Sequence, residues 1–467
     1  MDNELLQEFD RYLAHLGDGL GHADRQAGLR GYCTGLMAPL KRKSVEPMAA
    51  HQAPQTTRAR HQSLHHFVAE SAWSDEEMLL RVAQWVVPKM DFSDGGWWIV
   101  DDTGFPKQGR HSVGVARQYC GMLGKQDNCQ VAVSVSLAFQ AGSLPVAWQL
   151  YLPQQWMDDR ARCDKAGVPQ AVQFATKAQI ALAQIERLMA QGAPRHCVLA
   201  DAGYGVDTAF RERLSELGLP YVVGVTGSVT VWPAGHAPLP PAPYSGKGVR
   251  PTRQRLGHDV HERPQSVKEL AHALAPSHWH SIEWREGSNF TLRSRFARVR
   301  VRAAHREYLR TEQRPQQWLL IEWPEGHKEP MKYWLSTLAQ DVPLQRMVYE
   351  AKMRWRIERD YQDLKQELGL GHFEGRGWRG FHHNASLSIA AYGFLMAWRL
   401  RHHQDAGKKN AARSEEPALP THYKPRGSPS HATPRPIVHH DFAAAYRSSL
   451  GSNAAAMSVL PASECQV

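Results

Sequence analysis

The run Trp97-Trp98-Ile99-Val100-Asp101-Asp102-Thr103-Gly104-Phe105-Pro106-Lys107 joins an apolar stretch to a pair of carboxylates. That pattern predicts a buried strand that carries acid into a turn. A second run, Cys197-Val198-Leu199-Ala200-Asp201-Ala202-Gly203, repeats the arrangement, and a third acid stands in Arg354-Trp355-Arg356-Ile357-Glu358. Acids that converge from separate elements suit a hard divalent cation, which takes oxygen ligands and keeps several waters. Two such ions about 3.5 to 4 Å apart activate an attacking water or hydroxyl and stabilise the leaving oxygen of a phosphodiester. The three runs therefore point to a divalent-metal site for cutting nucleic acid.

Each acid has a plainer reading beside this one. Asp101 and Asp102 cannot both face the metals in a regular strand, because successive side chains point to opposite faces. Asp102, directly before Thr103, is favoured, and Asp101 stays a competitor; a turn-forming Asp ahead of Gly104 is the structural alternative. Asp201 would emerge at a strand's C-terminal end, where sites of α/β sheets tend to lie, or would simply cap a helix. On the helix after Met353, a period of 100° per residue puts Ile357, Tyr361, Leu364 and Leu368 on one buried stripe. Arg354, Glu358 and Lys365 line its edge, as an ordinary surface ion-pair row also would. Asp360, Asp363 and Glu367 fall elsewhere on the wheel.

The elements that must position these acids can be read in outline. Residues 1–90 read as a helical DNA-binding domain, with Leu5, Phe9, Tyr12, Leu13 and Leu16 on one face and Ser74-x-x-Glu77 as a capping box. Lys41, Arg42 and Lys43 lie between its helices and could grip phosphates. Residues 91–225 give strands near 97–101, 131–139 and 145–152, a helix near 169–191 stopped by Gly192, the strand ending at Asp201, a helix near 207–217 and a strand near 221–225. The order βββαβαβ is that of an RNase H-like mixed sheet, so the fold class expected is α/β with flanking helices. Residues 226–345 read as a β-rich insertion that begins in a Pro-rich stretch. Residues 346–403 return to helix, carrying Glu358 and then an apolar helix near 384–400. Residues 404–467 turn to Ala, Ser, Pro and Lys and read as a disordered tail.

The chain of 467 residues is long enough for two or three domains. Its 56 Lys plus Arg against 46 Asp plus Glu leave a formal net charge of +10, which favours polyanion partners. Six scattered cysteines without a C-x-x-C pair support neither a disulfide framework nor a zinc ribbon, so a reducing cytoplasm is expected. The first residues are acidic and amphipathic where a signal peptide would be basic and then apolar. The longest apolar stretch, residues 385–400, is shorter than the roughly 20 residues that span a bilayer.

These residues together resemble the DDE transposases of bacterial insertion sequences, in the branch with a β-strand insertion before the final Glu. Nearest is the seven-hundred-and-one family. The resemblance rests on Arg42-Lys43-Ser44-Val45-Glu46-Pro47-Met48, Asp101-Asp102-Thr103-Gly104-Phe105-Pro106-Lys107-Gln108-Gly109, Ala200-Asp201-Ala202-Gly203-Tyr204-Gly205 and the run from Arg354 to His383. It covers roughly residues 1–400. The branch carries a Tyr-x-x-Arg-x-x-x-Glu-x-x-x-x-x-x-Lys signature, matched here by Arg354, Glu358 and Lys365, with Ala351 at the Tyr position.

The resemblance implies that Asp102, Asp201 and Glu358 form the catalytic triad and hold Mg²⁺, for which Mn²⁺ can substitute. Arg354 and Lys365 would contact phosphates at the transposon end, with Lys107, Arg376 and Arg379 as further DNA contacts. Arg376, Trp378, Arg379, His382 and His383 interleave basic and aromatic groups, and Trp279, Trp284, Trp318 and Trp323 offer either a base-stacking residue or β-core. The implied partners are double-stranded DNA, as terminal inverted repeats and target, and a second copy, since two ends must meet in a homodimer. The implied location is the bacterial cytoplasm, on the nucleoid, with no membrane. A nuclease of the same fold without strand transfer and a DNA-binding regulator with a decayed core are the rival readings.

Overall fold

A computed structural model describes residues 2–259, 263–286, 291–305 and 312–414. Helices α1 (Asp2–Gly17), α2 (Ala23–Met37), α3 (Val45–Gln52), α4 (Thr57–His65) and α5 (Asp75–Val86) come first. The apolar stripe of α1 is buried throughout: Leu5, Phe9, Tyr12, Leu13 and Leu16 are each at most 5% exposed. Ser74 caps α5 by accepting the Glu77 N–H at 3.1 Å. Glu77 does not complete the expected box, because its carboxylate pairs with Arg81 one turn on, at 2.9 Å.

The sheet then begins with β1 (Trp97–Pro106), β2 (Ala116–Cys120), β3 (Lys125–Phe139) and β4 (Gly142–Tyr151). Trp97, Trp98, Ile99 and Val100 are all fully buried, as a strand covered on both faces must be. Short helices α6 (Gln154–Met157) and α7 (Arg160–Lys165) lead to α8 (Lys177–Ala190). The helix expected near 169–191 thus starts later, where Thr176 and Gln179 close a capping box, and Gly192 at φ 80° ends it. Next come β5 (Cys197–Ala200), α9 (Ala202–Gly205), α10 (Thr208–Glu216) and β6 (Tyr221–Val225). β3 runs antiparallel to β1 and to β4, whereas β5 and β6 run parallel to β1, so the order β4-β3-β1-β5-β6 is that of an RNase H-like sheet.

The stretch expected as a β-rich insertion holds β7 (Thr230–Pro233), β8 (Gln265–Ser266), α11 (Val267–Ala273), β9 (His280–Glu286), β10 (Thr291–Ala303), β11 (Gln317–Trp323) and β12 (Lys332–Ser336). β12 pairs antiparallel with β6, and β11, β10, β7 and β8 follow outward. These strands therefore extend the core sheet and cover the free edge of β6.

The chain then returns as α12 (Leu344–Lys352), α13 (Trp355–Gln366) and α14 (Trp378–Ser414). The helical stretch expected to carry Glu358 is broken at Met353 and Arg354, so that α12 and α13 are separate helices. α14 runs beyond the expected end, through residues 404–414; the rest of the expected tail, residues 415–467, lies outside the described residues. The N-terminal helices share a core with α14: the Tyr12 hydroxyl donates to the Ala390 carbonyl at 2.8 Å, and the Tyr32 hydroxyl to Asn384 at 3.0 Å.

Candidate active site

The register of β1 against β5 pairs Trp97 with Cys197 and Val100 with Ala200. Asp101 follows the last paired residue of β1, and Asp201 follows the last of β5, at the N-cap of α9. The partner of Asp101 on β3 is Ser134, whose hydroxyl meets that of Tyr361 on α13 at 2.9 Å. Asp101 thus faces α13. Arg354, at the start of that helix, reaches Asp101 Oδ2 at 2.7 Å and Glu358 Oε1 at 2.8 Å. One guanidinium therefore ties the β1 acid to the helical acid, with Asp201 close enough to act on both Asp101 and Arg354 electrostatically.

Asp102 points the other way. Its Oδ2 takes a hydrogen bond from Lys177 at 3.0 Å, at the first turn of α8, and one from the Tyr204 hydroxyl of α9 at 3.3 Å. The geometry therefore groups Asp101, rather than the favoured Asp102, with Glu358 and Asp201. Strand alternation puts the two neighbouring carboxylates on opposite faces of β1. Lys177 and Tyr204 were not singled out by spacing or type; only the fold brings them to Asp102.

The electrostatics of the two acids differ accordingly. Burial pushes the Asp101 carboxyl up to about 7, Arg354 opposes that, and the carboxylates of Asp201 and Asp102 add to it. Such crowding of acid is relieved by bound positive charge. Asp201 Oδ1 also accepts the Gly203 N–H at 2.8 Å, so it caps α9 as well as facing the site. Glu358 is exposed, and the Ile357, Tyr361, Leu364 and Leu368 stripe of its helix is buried as expected. Asp360 is buried too, which the wheel did not indicate: its Oδ1 accepts from Ser143 at 2.6 Å and Tyr392 at 3.0 Å.

The basic residues divide into bound and free. Lys43 is only 4% exposed and donates to the Leu36 carbonyl at 2.5 Å and to the Glu367 carbonyl, so it pins a loop to the end of α13 and is withdrawn from any phosphate. Arg42 pairs with Glu374, and Lys41 is exposed. Lys365 donates to the Gly104 carbonyl of β1 at 2.7 Å and lies over the Phe105 ring. Lys107 donates to the Phe373 carbonyl at 3.1 Å. Arg376 and Arg379 are exposed, with Arg379 also bonding the Glu70 carbonyl at 2.7 Å. His382 and His383 are buried, and His383 stacks on Trp73 with ring centroids 3.5 Å apart. Trp279 packs on Trp323, and Trp284 on Phe296. Tyr349 packs edge-on against Trp97.

Among the described residues, no three His, Cys, Asp or Glu side chains stand close enough together to hold a metal ion. The donor chemistry nevertheless fits a hard divalent cation: Asp101, Asp201 and Glu358 offer only carboxylate oxygens, and Arg354 already bridges two of them as a positive charge. Among the described residues, no helix is long and apolar enough to cross a membrane.

Comparison with known proteins shows the family. A probable transposase for insertion sequence element IS701 from Microchaete diplosiphon is 32% identical over 205 residues, 43% of this chain and 50% of that protein. The chain thus matches about half the length of that relative. The solved NurA nuclease from Sulfolobus solfataricus aligns over 73% of this chain and 96% of its own, at 8% identity and a TM-score of 0.24. DDE superfamily nucleases generally use divalent metal ions. The sequence profile described as DDE superfamily endonuclease matches residues 15–291, more than half of the chain, and with its RNase H-like sheet the protein belongs to that superfamily.

Proposed function

We propose that this chain is a transposase that binds the terminal inverted repeats of its element, hydrolyses a phosphodiester there, and joins the freed 3′-hydroxyl to target DNA. The observation that carries this reading is Arg354 joining Asp101 to Glu358, with Asp201, directly after β5, close enough to act on Asp101 and Arg354 electrostatically. Asp101, Asp201 and Glu358 would hold the divalent ions, Mg²⁺ or Mn²⁺ in its place. When bound there, such ions supply activation of the attacking water or hydroxyl and charge stabilisation at the leaving oxygen.

The chain's own residues do the rest. Arg354 neutralises Asp101 and Glu358 while the site is free, and its planar fork is suited to a phosphate once those acids have another counter-charge. Lys365, held on the Gly104 carbonyl, fixes α13 against β1 and so fixes the distance between Glu358 and Asp101. Asp102 acts as a positioning residue that ties β1 to α8 and α9 through Lys177 and Tyr204. Exposed Lys41, Arg376 and Arg379 supply sequence-independent phosphate contacts. Two ends are cut together, so the DNA complex holds two copies of the chain.

The test is an excision assay in cells, with the protein supplied beside a marker flanked by the element's own ends. Excision by wild type and none by Glu358→Gln or Asp201→Asn is the expected result. Cleaved ends that never appear joined to new DNA would reduce the reading to a nuclease, and normal excision by Glu358→Gln would end it.

A further inference from the structure

β2 and β3 form a hairpin whose turn, Gly121-Met122-Leu123-Gly124, is exposed at all four residues. Gly124 turns at φ 63°, and the Leu123 N–H closes the turn on the Cys120 carbonyl at 2.9 Å. Tyr119, Met122 and Leu123 are 58%, 56% and 40% exposed, an unusual display for large apolar side chains this close together in the chain. Cys120, the last residue of β2 before the turn, is by contrast buried. A Cβ on Gly104 would meet Cys120 Sγ at 2.7 Å, so the hairpin lies flush on the strand that carries Asp101. Met122 Sδ stands 3.8 Å from the Lys365 ammonium, which is itself bonded to Gly104.

Three cations and one carboxylate, Asp127, lie near this apolar turn. Arg117 and Lys125 are exposed on the two strands of the hairpin, Lys125 sharing its charge with Asp127 at 3.2 Å, and Lys365 borders it on the site side. Three apolar side chains are far too few for a stable protein interface, which buries roughly 800 Å² on each partner. Apolar residues of this kind, with cations near them, suit a duplex better: Met and Leu inserted between base steps unstack them while the cations hold the backbone. Gly104 is three residues beyond Asp101, about 10 Å along the strand, which is about three stacked nucleotides.

We propose that Met122 and Leu123, with Tyr119 beside them, form a wedge that enters the DNA duplex next to the cut and keeps the strand end at Asp101 unpaired. This rests on the assignment of Asp101, Asp201 and Glu358 as the cleavage site. Wedge insertion frees the scissile strand from its complement, so that it can bend across the exposed Glu358 toward the buried Asp101.

The full chain is tested on duplexes bearing the DNA that flanks its own gene, in a fully paired form and a form mismatched at the base pairs nearest the cut. The paired form also carries 2-aminopurine there as a reporter of unstacking. Wild type is expected to cleave both with Mg²⁺ and to raise the 2-aminopurine fluorescence on binding. Met122→Ala/Leu123→Ala is expected to cleave the paired duplex at least about tenfold more slowly, the mismatched one within about twofold of wild type, and to lose the fluorescence rise. Met122→Leu should keep the wild-type ratio. Equal slowing on both duplexes, or an undiminished fluorescence rise, overturns the wedge. A change in the mass of the DNA-free protein in the double variant overturns it too, since the tip would then be a contact between copies. Wild type inactive on both duplexes instead sinks the cleavage-site assignment, and the wedge with it.

Discussion

Asp101→Asn and Asp102→Asn should fail in opposite ways, because the two neighbouring carboxylates serve opposite faces of β1. Asp102 pairs with Lys177 at 3.0 Å, the two side chains being 25% and 32% exposed. The gross attraction of such a pair is several kcal/mol, but partial exposure screens it and Asn keeps a hydrogen bond, which leaves a net cost of about 1–2 kcal/mol of stability. Cleavage by Asp102→Asn should fall only as far as folding does. Asp101 carries the reverse balance: with burial pushing its carboxyl up to about 7, an amide there relieves desolvation and leaves stability at pH 7 equal to wild type or higher. Losing that carboxylate from the site should slow cleavage by at least about 10³-fold, or about 4 kcal/mol of transition-state stabilisation. Urea unfolding and Mg²⁺-dependent nicking of end-bearing DNA, run on both variants, read the two effects separately. Asp102→Asn inactive at wild-type stability, with Asp101→Asn active, would refute the reasoning.

Other consequences follow from the same contacts. Burial raises Asp360 to about 7 in the folded chain against 3.8 for the free side chain, so the stability that it contributes is complete below 3.8 and lost as pH rises through about 7. The loss is on the order of 4 kcal/mol as an upper bound, and Asp360→Asn should flatten that slope in urea titrations between pH 4 and about 7; an unchanged slope would count against it. Lys365→Met should cost about 1–2 kcal/mol of stability through the lost bond to Gly104, whereas a side chain serving DNA alone would leave urea midpoints unmoved. A Cβ on Gly205 would meet the Gly224 carbonyl oxygen at 1.9 Å, a backbone atom that cannot give way, so Gly205→Ala should destabilise by at least about 3 kcal/mol, checked by thermal unfolding.

Much of this was legible in the sequence where a single element decides the matter. Trp97 through Val100 declared a central strand by being apolar at every position, and the α13 stripe declared itself through its period. Which of Asp101 and Asp102 shares a face with Glu358 was not legible, because it depends on which helix covers which face of β1. The break at Met353 and Arg354 carries neither Gly nor Pro, so nothing local announces it. Lys43 looked like a phosphate contact beside Lys41 and Arg42, and only the end of α13, brought in by tertiary packing, supplies the carbonyl that buries it. The strands after residue 229 were visible one by one, but their pairing onto β6 is a long-range choice that strand pattern alone does not fix.

The central claim is that Asp101, Asp201 and Glu358 together hold divalent metal, and calorimetric titration of Mn²⁺ into the full chain tests it most directly. Wild type should bind with release of protons, since the raised Asp101 carboxyl must ionise, while Asp201→Asn and Glu358→Gln should weaken binding at least about tenfold and Asp102→Asn should leave it intact. Equal binding by wild type, Asp201→Asn and Glu358→Gln would contradict it.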